Sequence, residues 1–268
     1  SVNGATVEDW SDSTATFVSE SALDTSVGTV TFNTDGPVPY WSASNGAGGY
    51  GELVTTSYTD ANFNTISYRV AKFTFDRVNV GDGASVNLLG SNPIHIEVAG
   101  DATILADLDL NGTAGMDSAQ FTLGKLGGGR GGHKYNDNLN PRWGQGEGPS
   151  HLTAGNFNSG GKRLTGWIDP RPSITSGQEP GGGSYGGAGA RTAPNGGTGQ
   201  DGRPVAISGS VYGDDVITHL FGGSGGGGGD ERSGGSGAGG IKIVATGTLT
   251  IGGDVWAVGG QGGARSGR

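Results

Sequence analysis

Ile94-His95-Ile96-Glu97-Val98-Ala99-Gly100-Asp101-Ala102-Thr103-Ile104-Leu105-Ala106-Asp107-Leu108-Asp109-Leu110-Asn111-Gly112 decides the reading of this chain. Apolar residues alternate with polar ones at Ile94, Ile96 and Val98 and again at Leu108 and Leu110, with Gly100 and Gly112 as punctuation. The pattern returns at an offset of 147: Ile94, Ile96, Gly100, Thr103, Ile104, Leu108 and Gly112 line up with Ile241, Ile243, Gly247, Thr250, Ile251, Val255 and Gly259, and Asp107 meets Asp254. A flat hairpin sheet accounts for the alternation alone. The recurrence favours stacked repeats, because one such unit cannot bury its apolar face by itself. The expected fold class is therefore all-β, with parallel β-solenoid or β-sandwich-like rungs, interrupted and then resumed, and almost no α-helix.

Working outward toward the N-terminus, Thr14–Val18, Val27–Phe32 and Val70–Phe75 are rich in β-branched and aromatic residues and read as strands. Asn33-Thr34-Asp35-Gly36-Pro37 and Gly81-Asp82-Gly83 read as turns between them. Short alternating strands follow through residues 73–112, punctuated by glycine at 81–83, 90, 100 and 112. No window of helical period stands out.

Toward the C-terminus glycine takes over. The chain has 59 glycines in 268 residues, about three times ordinary usage, and 46 of them follow residue 120. Tracts such as Gly127–Gly132, Gly181–Gly187, Gly222–Gly229 and Gly234–Gly240 lie within residues 124–240. A flexible linker has this composition. Linkers lack anchors, however, and this stretch carries Trp143, Phe157, Trp167, Tyr185, Tyr212, Leu220 and Phe221. Ordered glycine tracts pack as extended polyglycine-II helices, where only glycine fits between neighbouring backbones. The segmentation is thus an N-terminal β segment over 1–65, solenoid rungs over 66–123, a glycine-rich polyglycine-II-type insertion over 124–240 and a returning rung over 241–268.

Composition excludes several classes. No stretch approaches the roughly 18 apolar residues of a membrane helix, and no Gly-x-y triplet runs through the chain as in collagen. A helical bundle is disfavoured by the glycine content, since each interior glycine costs a helix about 1 kcal/mol. The net charge is −9, with 15 acids and 3 bases in residues 1–120 against 10 acids and 13 bases in residues 121–268. An acidic total argues against nucleic acid as a partner. The asymmetry suits head-to-tail contact between copies, or simply two independently soluble halves. The chain has no Cys, as in secreted bacterial proteins that avoid thiol chemistry, though any compartment tolerates this. It opens at Ser1 without Met and stops at Arg268 inside a glycine-rich pattern, so processing or truncation is expected at both ends.

Three pieces carry a family resemblance: Ser91–Ile104, Val211–Asp214 with Leu220–Gly229, and Gly239–Ala245 leading to Gly247–Ile251. Together they resemble glycine-rich β-solenoid proteins secreted by bacteria, which are largely uncharacterised. The glycine tracts are similar in kind to the polyglycine-II sandwiches of phage tail-fibre adhesins and insect antifreeze proteins. This chain departs from those in lacking disulfides and a free-standing glycine-rich region. The resemblance implies a secreted, extracellular, non-enzymatic protein of the cell surface and transfers no functional residue.

The search for chemistry finds little. His95, His133, His151 and His219 have no partner at metal-ligand spacing. No nucleophile elbow or P-loop occurs; Gly160-Gly161-Lys162 runs into Arg163. Asp107, Asp109 and Asn111, with Gly112 at the sixth position, match the opening of a calcium loop, but the twelfth position is Ser118 rather than Glu. Strand alternation offers a second account, placing both Asp residues on a solvated face. Asn111-Gly112-Thr113 is a glycosylation sequon. Asp214, Asp215, Asp230 and Glu231 could supply a carboxylate pair for sugar hydrolysis, or be hydrated loop acids. Trp143, Trp167, Tyr185 and Tyr212 could stack on sugar faces, or fill gaps beside glycine tracts.

Three functions are weighed on these grounds. The first is a self-assembling extracellular structural protein forming a fibre, sheath or surface layer, its partner being further copies of itself, with the segment around residues 1–32 as a candidate added strand. The second is a cell-surface adhesin or carbohydrate-binding module using the aromatics, with surface glycans as partners. The third and least favoured is a polysaccharide-active enzyme. The reading is non-enzymatic, without membrane span and without cofactor apart from the calcium candidate.

Overall fold

The computed structural model describes residues 22–59, 65–116, 122–132, 219–226 and 233–262. Among these there is no helix, and the regular structure is all strand. The strands are β1 (Leu23–Asn33), β2 (Tyr40–Ala43), β3 (Gly48–Tyr50), β4 (Glu52–Thr59), β5 (Thr65–Phe75), β6 (Val78–Leu89), β7 (Ile94–Val98), β8 (Ala102–Ile104), β9 (Leu108–Asp109), β10 (Ile241–Ala245), β11 (Leu249–Ile251) and β12 (Val255–Trp256). They form a six-stranded sheet in the order β11-β8-β6-β1-β2-β3, a four-stranded sheet β10-β7-β5-β4 and a pair β12-β9. The two larger sheets are mixed: β1–β6, β6–β8, β8–β11, β5–β7 and β7–β10 are parallel, while β1–β2, β2–β3 and β4–β5 are antiparallel. They end in free edges and do not close into a solenoid or barrel among the described residues.

The sequence repeat is a pairing register. Ile241 lies opposite Ile94, Leu249 opposite Ala102 and Val255 opposite Leu108, each in a parallel pair and each at the offset of 147. Side-chain oxygens at the bends repeat the offset, with Thr248 N–H donating to Asp101 Oδ1 at 2.7 Å and Asp254 N–H to Asp107 Oδ1 at 2.8 Å. Each capping acid therefore satisfies the backbone of the strand stacked on it.

The chain divides into two compact units. The first comprises residues 1–110, 216–220 and 240–257 and holds all twelve strands. Its core is aromatic where strands of two sheets meet: Phe32 lies 5.2 Å from Phe73 and 6.3 Å from Phe75, and Trp41 lies 5.4 Å from Phe75, all edge-to-face. That geometry suits the ring quadrupoles and adds to the burial itself. Aliphatic residues Leu23, Val78, Val80, Ile96, Ile104 and Leu108 line the continuing interior.

Two turn expectations meet different outcomes. Gly36 does adopt φ +93°, and β1 ends before it. Gly81-Asp82-Gly83 is not a turn, because β6 runs straight through it. The pairing with β1 jumps from Thr25–Val80 to Val27–Gly83, so Ser26 faces two residues across a bulge. A Cβ on Gly81 would come within 2.9 Å of Ser26 Cα, so these glycines admit a close backbone approach instead of a reversal. The corner after β6 is a true turn: Gly90 takes φ +102°, and Asn92 locks it by donating from N to Thr34 Oγ1 (3.1 Å) and from Nδ2 to Thr34 O (2.8 Å).

The second unit comprises residues 111–215, 221–239 and 258–268. Its described segments are unassigned to strands and include a turn at 125–127, and many of the backbone bonds that join them are spaced three residues apart. Gly129 and Gly132 donate to Gly223 and Gly226, Gly223 and Gly226 to Ala238 and Gly235, and Gly237 and Gly234 to Gly129 and Gly132, all at 2.7–2.9 Å. Ser233 and Ser236 continue the spacing toward Met116 and Thr113, and their hydroxyls accept the N–H groups of the same two residues at 2.9 and 2.7 Å. Asn111 Oδ1 accepts from Val258 N–H at 2.8 Å, so the offset of 147 recurs here too. A Cβ on Gly237 would run into the backbone of Gly223, and one on Gly128 into that of Gly237. The neighbouring backbones leave no room for a side chain there.

Two stability predictions follow from this packing. Phe75→Ala removes a fully buried ring with two aromatic neighbours and should cost about 3–5 kcal/mol in urea unfolding. Gly237→Ala should destabilise by about 1–3 kcal/mol or more. Gly262→Ala, with nothing within 4 Å of the added carbon, should stay within about 0.5 kcal/mol of the parent in the same assay.

Candidate functional site

Within the first unit, strands β10, β11 and β12 each have a strand partner on one side only among the described residues. They all belong to the second repeat, so the free edges of all three sheets at that end come from one short stretch of chain, residues 241–256. The two repeats carry matching apolar residues with opposite fates. In the first, Ile94, Ile96, Ala102, Ile104 and Leu108 are all buried. In the second, Leu249 is 43%, Ile251 38%, Val255 51% and Trp256 52% exposed, and Ile241 and Ile243 are half-buried. The difference is position: the strands of the first repeat pair with those of the second, and no described strand pairs with the outer side of the second. A free edge with exposed aliphatic and aromatic side chains is a template for adding another strand.

A polar row crosses the four-stranded sheet to this edge. Glu52 on β4 faces Lys72 on β5, Lys72 faces His95 on β7, and His95 faces Lys242 on β10. Lys72 Nζ is 3.0 Å from Glu97 Oε2 and 3.9 Å from Glu52 Oε1. His95 is buried, and desolvation, then the charges of Lys242 and Lys72, pushes its pKa down from 6.5 to about 3. It is therefore neutral near pH 7, and its Nε2 stands 3.6 Å from Glu97 Oε1, a contact that becomes an ion pair on protonation of the imidazole. Burial also lowers the pKa of Lys242, opposed by Glu97.

The residues singled out from the sequence fall in several places. Asp107 and Asp109 flank buried Leu108 and are themselves exposed, as strand alternation requires. Asp107 and Asn111 each commit an oxygen to a backbone N–H of the second repeat. Among the described residues, no group of three or more His, Asp or Glu could hold a metal. Trp143, Trp167, Tyr185 and Tyr212 lie outside the described residues, as do Asp214, Asp215, Asp230 and Glu231. No helix among the described residues is long and apolar enough to cross a membrane. Sequence reasoning missed the row from Glu52 to Lys242, since strand neighbours 20 and more residues apart leave no local signal. The open edge was implicit in the repeat: whichever copy lies outermost must show its face.

No protein-family model, curated protein or solved structure matches this chain.

The buried neutral His95 predicts a pH effect. Its folded pKa lies below its unfolded value, so the unfolded chain binds the extra proton between pH 6.5 and about 3. Stability is complete above pH 6.5 and falls on acidification through that window, by on the order of 1 kcal/mol per pH unit. Urea unfolding at pH 7.5 and pH 5 should give a clearly smaller acid loss for His95→Gln than for the parent.

Proposed function

We propose that this chain is an extracellular structural protein that self-assembles, through its β10–β12 edge, into a fibre, sheath or surface layer. The observation that carries this reading is the exposure of Leu249, Ile251 and Val255 on the outermost strands β11 and β12, whose counterparts Ala102, Ile104 and Leu108 in the first repeat are buried, with exposed Trp256 beside them. Covering those side chains returns about 25 cal/mol for each Å² of apolar surface removed from water. Edge backbone groups would gain partners in the same step.

On this reading the repeats act as rungs of an open-ended parallel β-solenoid, supported by the constant offset of 147 across three strand pairs. The glycine segments act as packed polyglycine-II helices. Support comes from donors spaced three residues apart, the repeat of a threefold helix without internal hydrogen bonds, and from glycines whose added Cβ would strike a neighbouring backbone. Such a body presents few side chains for chemistry, in keeping with a non-enzymatic role. Secretion to the cell surface is part of the proposal and rests on composition and the resemblance above. Of the candidate added strand around residues 1–32, residues 1–21 lie outside the described residues, and β1 lies between β6 and β2.

Negative-stain electron microscopy and sedimentation test the reading. Regular filaments or sheets are expected, and strictly monomeric protein at high concentration would overturn it. Ile251→Lys alters an exposed side chain, so the monomer should keep its stability while the concentration needed for assembly rises at least about tenfold.

A further inference from the structure

Among the described residues the four-stranded sheet has two free edges, β10 and β4, and the row joining them is charged at both ends. It starts at Glu52 on the β4 edge, passes Lys72 and His95, and stops at Lys242 on the β10 edge. The adjacent row is apolar throughout: Leu53, Ala71, Ile94 and Ile241. An acid at one edge and a base at the other, each beside an aliphatic residue in the same register, make the two edges complementary to one another. An edge meeting its own twin would instead bring lysines, or glutamates, to the same joint.

We propose that the occupant of the β10 edge is the β4 edge of a second copy of this chain, joined head to tail, with Ile241 opposite Leu53 and Lys242 opposite Glu52. The added strand would run antiparallel to β10, because β4 is antiparallel to β5 while β5, β7 and β10 are parallel. This is a heterologous contact, which propagates as an open filament unless its rotation closes a ring. The glutamate has carboxylate to spare: its side chain is 65% exposed, and its contact with Lys72 is long at 3.9 Å, while Lys72 is held more closely by Glu97. Exposed Leu249 and Ile251 on β11, which follows β10 in the second repeat and is likewise outermost in its sheet, would be covered in the same event.

The inference rests on the self-assembly reading and names its interface, so the test must separate the two. The chain has no Cys, which makes introduced thiols unambiguous reporters. Lys242→Cys with Glu52→Cys in one chain should give a ladder of disulfide-linked oligomers on mild oxidation under assembling conditions, and neither single variant should. Val54→Cys in place of Glu52→Cys reports a joint that has slipped by two residues. Dimers from Lys242→Cys alone would show β10 meeting β10 and overturn the head-to-tail joint. Filaments in the microscope without cross-linking at 52 or 54 would also overturn it, while leaving self-assembly standing; monomers throughout would sink both. Charge exchange supplies a second readout that needs no thiol. Lys242→Glu should raise the assembly concentration about fivefold or more, and mixing it with Glu52→Lys should restore parental assembly. No restoration by the mixture would count against the pairing.

Discussion

Parallel backbone pairing between two stretches of chain 147 residues apart is the constraint on which the first unit depends. Strand β7 lies between β5 and β10, and β8 between β6 and β11, so the first repeat has neighbours on both sides. Its buried aliphatic side chains share an interior with residues of β1 and β6 and with Ile241 and Ile243 of the second repeat, which is laid on it in register. A slip of one residue would turn every side chain to the opposite face. The bend acids guard against that slip: Asp101 and Asp107 each reach up to a backbone N–H at the same offset, which ties the bends as well as the strands. The glycine at 247 belongs to the same device, since a Cβ there would collide with the Asp101 carboxylate.

The second unit meets a related need by different means. Its glycine segments bring almost no side chains, so apolar burial cannot be their main support. What remains is backbone hydrogen bonding between closely spaced chains, and close spacing requires glycine at each contact. Exceptions mark where side chains matter. Leu126 is fully buried yet takes φ +50°, in a turn closed by Gly128 N–H to Lys125 O at 2.9 Å. A leucine in that conformation is strained, so burial of its side chain is the compensating term. Ser233 and Ser236 are the other exceptions, each using its hydroxyl for an N–H that the glycine pattern would leave without a partner.

Much of the all-β character was legible because alternation and β-branched content are local signals, and Val27–Phe32 and Val70–Phe75 both fall within strands. The long-range register was legible for a different reason: an internal repeat writes a tertiary contact into the sequence twice. Gly81–Gly83 misled because glycine permits a close approach as readily as a reversal, and sequence does not say which. The charged row was illegible, since Glu52, Lys72, His95 and Lys242 come from four strands that only the sheet brings into line. Asp107 and Asn111 were visible as oxygens at alternate positions, but their bonds to the stacked repeat could not be foreseen from spacing alone.

Repetition also explains why an open end should carry apolar side chains at all. A soluble chain that ends a stack usually blunts its last strand with charge, proline or a covering segment. Strands β10–β12 contain one lysine and no proline, and they keep the aliphatic pattern of the repeat they cover. Of the oxygens that cap the bends of the first repeat, one has a carboxylate counterpart in the second: Asp107 corresponds to Asp254, whereas Asp101 corresponds to Thr248 and Asn111 to Val258. The second repeat therefore retains the means to accept a further strand while loosening the ties at its bends. An edge that still attracts but grips less tightly is suited to a neighbour whose sequence is not another copy of the repeat. In the proposed head-to-tail joint, the acid and aliphatic pair of Glu52 and Leu53 would be such a neighbour, because it matches Lys242 and Ile241 without repeating them.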